Sequence, residues 1–139
     1  MEKEFVPYQP SLDMKELGFD EPCFGEYRQW NGSVPYLKLY QDVDGYSTDP
    51  ADYEYTSDCI APTFSQCFRW FREKYGISVS ISINWEEGIG KDSSYGKYSC
   101  SLEHKSYDES IGEFIGVFKR YEEAELACLK QLIEIVKEK

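Results

Sequence analysis

The chain has 139 residues, 41% of them hydrophobic and 17% aromatic, with 26 acidic against 15 basic side chains and a formal net charge of -11. This length suits one domain with one core, the aromatic content is too high for a disordered chain, and no run nears the roughly 18 apolar residues of a membrane span. No basic stretch followed by an apolar one opens the chain, so no secretory signal is expected.

The acidity is uneven. Residues 1–60 hold 13 acids and 4 bases, whereas residues 61–139 hold 13 and 11. Phosphate backbones and anionic membrane surfaces repel such a chain, so direct nucleic-acid and membrane binding are not expected. A basic protein would attract it, and the same acidity keeps an aromatic-rich chain in solution. The five cysteines, Cys23, Cys59, Cys67, Cys100 and Cys128, are odd in number and include no C-x-x-C pair. That spacing fits neither a disulfide framework nor a zinc site. Free cysteines acting as small buried hydrophobes, in a reducing cytoplasm, are the expectation.

Residues 1–10, with Pro7 and Pro10, read as an extended arm. A short helix is expected from Ser11 to Leu17, with Ser11 as its cap, Leu12 and Leu17 inward and Gly18 as its end. Phe24–Gln29 and Val34–Gln41 flank Trp30-Asn31-Gly32-Ser33, and Asn-Gly between two such segments marks a hairpin. Pro35 puts the second strand at an edge or at its own start. Residues 42–58 contain six acids and no base, and read as a surface loop.

From Ala61 the pattern sharpens. Pro62 suits a first helical turn. Phe64, Cys67, Phe68, Phe71 and Tyr75 then form one helical stripe that Gly76 ends. Ile77, Val79, Ile81, Ile83 and Trp85 alternate with polar residues, the signature of a strand with one buried face. Tyr98, Cys100 and Leu102 alternate on a second strand, and Phe114–Lys119 reads as a third. A last helix, Glu122–Lys137, has a broad apolar arc through Ala124, Leu126, Cys128, Leu129, Leu132, Ile133, Ile135 and Val136, with acids in its first turn.

The expected fold is α+β. A helix–three strands–helix unit (61–139), with both helices on one face of an antiparallel sheet, joins an acidic N-terminal hairpin section (1–60) in a single domain. The double-stranded-RNA-binding domain has the same order of elements. Its phosphate contacts need basic residues where the last helix here begins Tyr121-Glu122-Glu123-Ala124-Glu125, so only topology is shared.

Three motifs, Phe19-Asp20-Glu21-Pro22-Cys23-Phe24-Gly25, Phe68-Arg69-Trp70-Phe71-Arg72-Glu73-Lys74-Tyr75-Gly76 and Tyr121-Glu122-Glu123-Ala124-Glu125-Leu126-Ala127-Cys128-Leu129-Lys130, resemble a family of small uncharacterised proteins of tailed phages and prophages of gut bacteria, notably Bacteroidota. The resemblance spans both ends and the central helix and carries no catalytic residue. It implies a phage accessory protein acting inside the host bacterial cell, of a kind that often counters host defence.

Most apparent chemistry fails on its own requirements. His104 is the only histidine, so any catalytic triad would depend on it. Its phase with Leu102 makes it a strand residue. Gly88-Ile89-Gly90-Lys91-Asp92 lacks the Ser or Thr and the following helix of a phosphate loop. Asp42-Val43-Asp44-Gly45 would need a Glu at position 12 of a calcium loop, and Tyr53 stands there. The acid pairs Asp20/Glu21, Glu86/Glu87 and Asp108/Glu109 are adjacent charges rather than carboxyls facing across a cleft. No catalytic residue, metal or cofactor is assigned, and an enzyme is not expected.

One cluster stands out. Arg69 and Arg72 share a side of the central helix, with Trp70 between them and Lys74 following. Arginine forks bind phosphate and an exposed indole stacks on a base, so Arg69, Trp70 and Arg72 are the candidate contacts for a small nucleotide-like ligand. They equally suit internal ion pairs around a packed Trp70. The other candidate surface is acidic: Asp42, Asp44, Asp49, Asp52, Glu54 and Asp58, interleaved with Tyr40, Tyr46, Tyr53 and Tyr55, would meet a basic host protein as an inhibitor or nucleic-acid mimic. A structural or assembly role, with dimerisation through exposed aromatics, is the third expectation.

Overall fold

The computed structural model describes residues 2–29, 34–39, 56–83, 97–104 and 111–138. Among these residues three α-helices and two three-stranded antiparallel sheets make an α+β fold. It is divided between two compact units, residues 1–66 and 67–139. The turn expected at 30–33, most of the expected acidic loop and residues 84–96 lie outside the described residues.

The first unit opens with a 3₁₀ turn at Glu2–Glu4 and helix α1 (Tyr8–Glu16), not with an extended arm. Pro10 is compatible with α1 because it falls in the first turn, where backbone N–H groups have no helical acceptor. Ser11 is correspondingly inside the helix, not at its cap. It is buried, and its hydroxyl donates to the Val6 carbonyl at 3.1 Å. Gly18 does end the helix, at φ 95°. Its N–H donates to the Lys15 carbonyl and that of Phe19 to the Met14 carbonyl, both at 3.0 Å. This pair of bonds, with Met14 and Phe19 both buried, is a Schellman closure.

Strands β1 (Gly25–Gln29) and β2 (Tyr36–Leu39) form the expected hairpin, with Gly25 opposite Leu39 and Arg28 opposite Tyr36. β2 starts just after Pro35 and is an edge strand, as that proline requires. The sequence reading missed β3 (Thr56–Ile60), which makes β1 the central strand. Its first three residues were expected in the acidic loop. A short polar strand with no aliphatic alternation carries little signal. The core of this unit is Phe5, Tyr27, Cys59 and Ala61, flanked by Tyr8, Leu12, Leu37 and Leu39. Tyr27 meets Tyr8 edge-on, at 5.5 Å between ring centroids, and its hydroxyl donates to the Val6 carbonyl at 2.7 Å.

Helix α2 (Phe64–Tyr75) begins two residues later than Pro62 suggested. Thr63 is its cap: the Gln66 N–H donates to Thr63 Oγ1 at 3.2 Å, and the Thr63 N–H donates to Gln66 Oε1 at 3.0 Å. This reciprocal capping box satisfies two otherwise orphaned donors. Gln66 Nε2 also donates to the Pro22 carbonyl at 2.9 Å. Gly76, at φ 69°, closes the helix.

In the second unit, β4 (Ile77–Ile83), β5 (Tyr98–His104) and β6 (Ile111–Phe118) form an antiparallel sheet in sequence order. Helix α3 (Tyr121–Lys137) lies across all three strands. It buries Ala124, Cys128, Leu129, Leu132 and Ile133. On the sheet, Ile77, Cys100 and Leu102 are buried, while Val79, Ile81, Ile83 and Tyr98 are only half-buried. The opposite side of β4 carries Ser78, Ser80 and Ser82, the last two exposed.

Candidate functional site

The cationic cluster forms on α2 as the helical repeat requires. Arg69, Arg72 and Lys74 are exposed. Arg72 and Lys74 also occupy the last turn, where positive charge complements the helix dipole. Trp70 is packed, the second of the two arrangements its place in the sequence allows. Its indole is 7% exposed, so it offers no open face for stacking. It meets Phe71 and Tyr75 edge-on, with ring centroids 5.1 and 5.5 Å away. The Lys74 ammonium lies over the indole at 4.7 Å from the centroid. A cation therefore holds the position over the ring that a nucleobase would need. The helix presents two exposed guanidinium groups on one side but no aromatic platform between them.

The sequence reading missed the most unusual charged feature of the first unit. Glu26 and Arg28 alternate with Tyr27 on β1, so Tyr27 points into the core while both charges share the opposite face. Both are buried, and Arg28 Nε donates to Glu26 Oε1. Their cross-strand neighbours on β2 are Lys38 and Tyr36. Opposite charges at i, i+2 on a strand flanked by a hairpin signal were the available clue. A carboxylate already held by a guanidinium is a structural acceptor rather than a free base.

The cysteines are all buried and free, as expected. Burial pushes the Cys23 thiol up to about 12, helped by the negative field of Glu21 and the neighbouring Cys59. Its Sγ donates to the Glu21 carbonyl at 3.3 Å. Burial also raises the Cys128 thiol, and a hydrogen bond with Cys100 adds to the shift. Such thiols stay protonated and are poor nucleophiles and poor metal ligands. His104 is half-buried in the central strand β5, opposite Ile77 and Ile111.

Among the described residues, no three His, Cys, Asp or Glu side chains come together as a metal site. No described helix is long and apolar enough to cross a membrane. Gly88–Ser94, Asp42–Gly45, Glu86/Glu87 and Asp108/Glu109 lie outside the described residues. Of the six acids assigned to a basic partner, only Asp58 falls on a described element, the backbone of β3. The chain matches no protein-family profile, no curated protein and no solved structure.

Proposed function

We propose that this chain is a non-enzymatic binding protein that engages a basic protein through its acidic N-terminal half. The observation that carries this reading is the concentration of charge: 13 acids against 4 bases in residues 1–60. One of those four bases, Arg28, is already held by Glu26. A field of that sign steers cationic surfaces and repels phosphate. The resemblance to phage accessory proteins makes a host defence protein the first class of partner to try.

The test is binding to a candidate basic partner at low and high salt, with the native chain and with a variant carrying Asn or Gln at 42, 44, 49, 52, 54 and 58. The expected result is a complex that weakens steeply with salt and is lost in the neutralised variant. A salt-insensitive complex, or one that survives neutralisation, overturns the reading.

Capture of a nucleotide-like ligand is the second reading, and the exposed pair Arg69 and Arg72 favours it. Without an indole platform it rests on phosphate recognition alone. A ligand at about 100 times its dissociation constant stabilises by roughly 2.7 kcal/mol. A thermal-shift screen of linear and cyclic nucleotides would reveal it. A shift abolished by Arg69→Ala/Arg72→Ala would move this reading to first place.

A further inference from the structure

Among the described residues the two sheets have four edge strands, and three carry recognisable protection against pairing with another chain. β2 is only four residues long and exposes Lys38. β3 includes Asp58. β6 contains Glu113 and two glycines, and its register against β5 is broken by a bulge at Cys100/Ser101. Short edges, charges and bulges are the devices that keep sheet edges from adding strands. β4 has none of them. It reads Ile77-Ser78-Val79-Ser80-Ile81-Ser82-Ile83, with no charge and no proline, and it pairs with β5 over its full length without a register shift.

Two further observations point to a strand beside β4. Its apolar row is incompletely covered: Val79, Ile81 and Ile83 stay half-buried, whereas Cys100 and Leu102, one strand inward, are 1% and 0% exposed. The segment is also neutral in a chain of net charge -11, so pairing there brings no charges into direct opposition.

From these we infer that β4 is a homodimer interface, where two copies pair β4 with β4 antiparallel about a two-fold axis through Ser80 and join their sheets into one of six strands. In that register Ile77 faces Ile83, Ser78 faces Ser82 and Val79 faces Ile81. Each apolar side chain thus meets an apolar one on the α3 side, and each serine meets a serine on the other. A two-fold interface requires this self-complementarity. Any register offset by one residue would set serines against the apolar row. A second copy fits better than a charged partner because the neutral edge offers a charged strand no counter-charge. Seven residues span about 23 Å of ladder, a contact at the small end of stable interfaces. The dimer therefore dissociates on dilution.

Sedimentation velocity of the full chain across a wide concentration range tests this directly. The expected result is a reversible monomer–dimer equilibrium that tightens with salt, because screening relieves repulsion between two acidic chains. That sign is opposite to the salt dependence of the proposed complex with a basic protein. Ser80→Glu places like charges opposite each other at the axis and is expected to weaken dimerisation about fivefold or more. Ser80 is exposed, so the fold should tolerate it, and circular dichroism checks this.

The register is tested by oxidation of variants with one added cysteine, against a background of native thiols that are all buried. Ser80→Cys is expected to crosslink, because residues paired across antiparallel strands have Cα atoms about 4.5–5.5 Å apart, within disulfide reach. Ser82→Cys is expected not to crosslink, since the two copies of residue 82 would be about 13 Å apart along the ladder. A chain that stays monomeric at every concentration overturns the proposal. A dimer indifferent to Ser80→Glu, or crosslinked through position 82 and not through 80, overturns it equally.

Discussion

Arg28 donates through Nε to the Oε1 oxygen of Glu26, two residues earlier on the same strand, and both side chains are withdrawn from water. Breaking such a pair leaves a buried charge uncompensated, which costs about 3–5 kcal/mol. Glu26→Ala and Arg28→Ala are each expected to lower the unfolding free energy by that margin. The double replacement Glu26→Leu/Arg28→Met removes both charges while keeping volume, and is expected to recover most of the loss. Urea unfolding of the three variants checks this. A double variant no better than the singles would show that the pair does more than satisfy itself.

The pair also shows where the sequence was silent. The long repeats were legible: the α2 stripe from Phe64 to Tyr75, the alternation of Ile77 to Ile83 and the arc of α3 each reported an element and its inward side because many residues agreed on one period. β3 was not legible, since only Cys59 marks its buried side beside polar Thr56, Ser57 and Asp58. Pro62 is itself a start signal and masks Thr63, whose better marker is the Gln three residues on that completes the capping box. Helical angle puts Trp70 off the Phe64–Tyr75 stripe. An indole is large enough to be buried from a flanking position, and Phe71, Tyr75 and the Lys74 ammonium surround it. Of the candidate site, the positions of Arg69 and Arg72 could be read from spacing alone, whereas the accessibility of the ring between them could not.

Gly18 holds φ 95°, and the bonds to Lys15 and Met14 depend on that conformation. An L-residue there is strained by roughly 1–2 kcal/mol. Gly18→Ala is expected to destabilise the first unit by about that amount, and Gly18→Asn by less, because Asn tolerates this region better. Chemical denaturation of the pair of variants distinguishes a conformational cost from simple loss of a surface residue, which would make them equal.

Alkaline titration reads the cysteine environments. The Cys23 thiol is raised from 9.0 to about 12 in the folded chain. Cys128 and the Tyr121 phenol are also raised, chiefly by burial. Unfolded thiols lose their protons near pH 9 while the folded ones keep them. The stability these groups contribute is complete below that pH and is lost as pH climbs towards 12. Melting temperatures should therefore hold steady up to about pH 9 and then fall, with a shallower fall in Cys23→Ala. A thiol reagent at neutral pH should react slowly with the native chain and with all five cysteines once it is unfolded. Rapid native labelling would show that one of these thiols reaches solvent.

The two arginines and the tryptophan of α2 are expected to separate cleanly by mutation. Trp70 is packed against Phe71 and Tyr75, so Trp70→Ala should cost about 3–5 kcal/mol, the range for deleting a buried aromatic. Arg69 and Arg72 are exposed, and contacts of exposed charges contribute at most about 1 kcal/mol. Arg69→Ala/Arg72→Ala should therefore stay folded and nearly as stable, which makes it a fair probe of anion binding. Lys74 provides the finer test. Lys74→Met keeps the aliphatic stem but removes the cation over the indole, at an expected cost of about 0.5–1 kcal/mol. It also uncovers part of the ring. A nucleotide that binds Lys74→Met but not the native chain would show that the ammonium blocks a stacking site. If neither chain binds, the cluster acts through its contribution to helix stability alone.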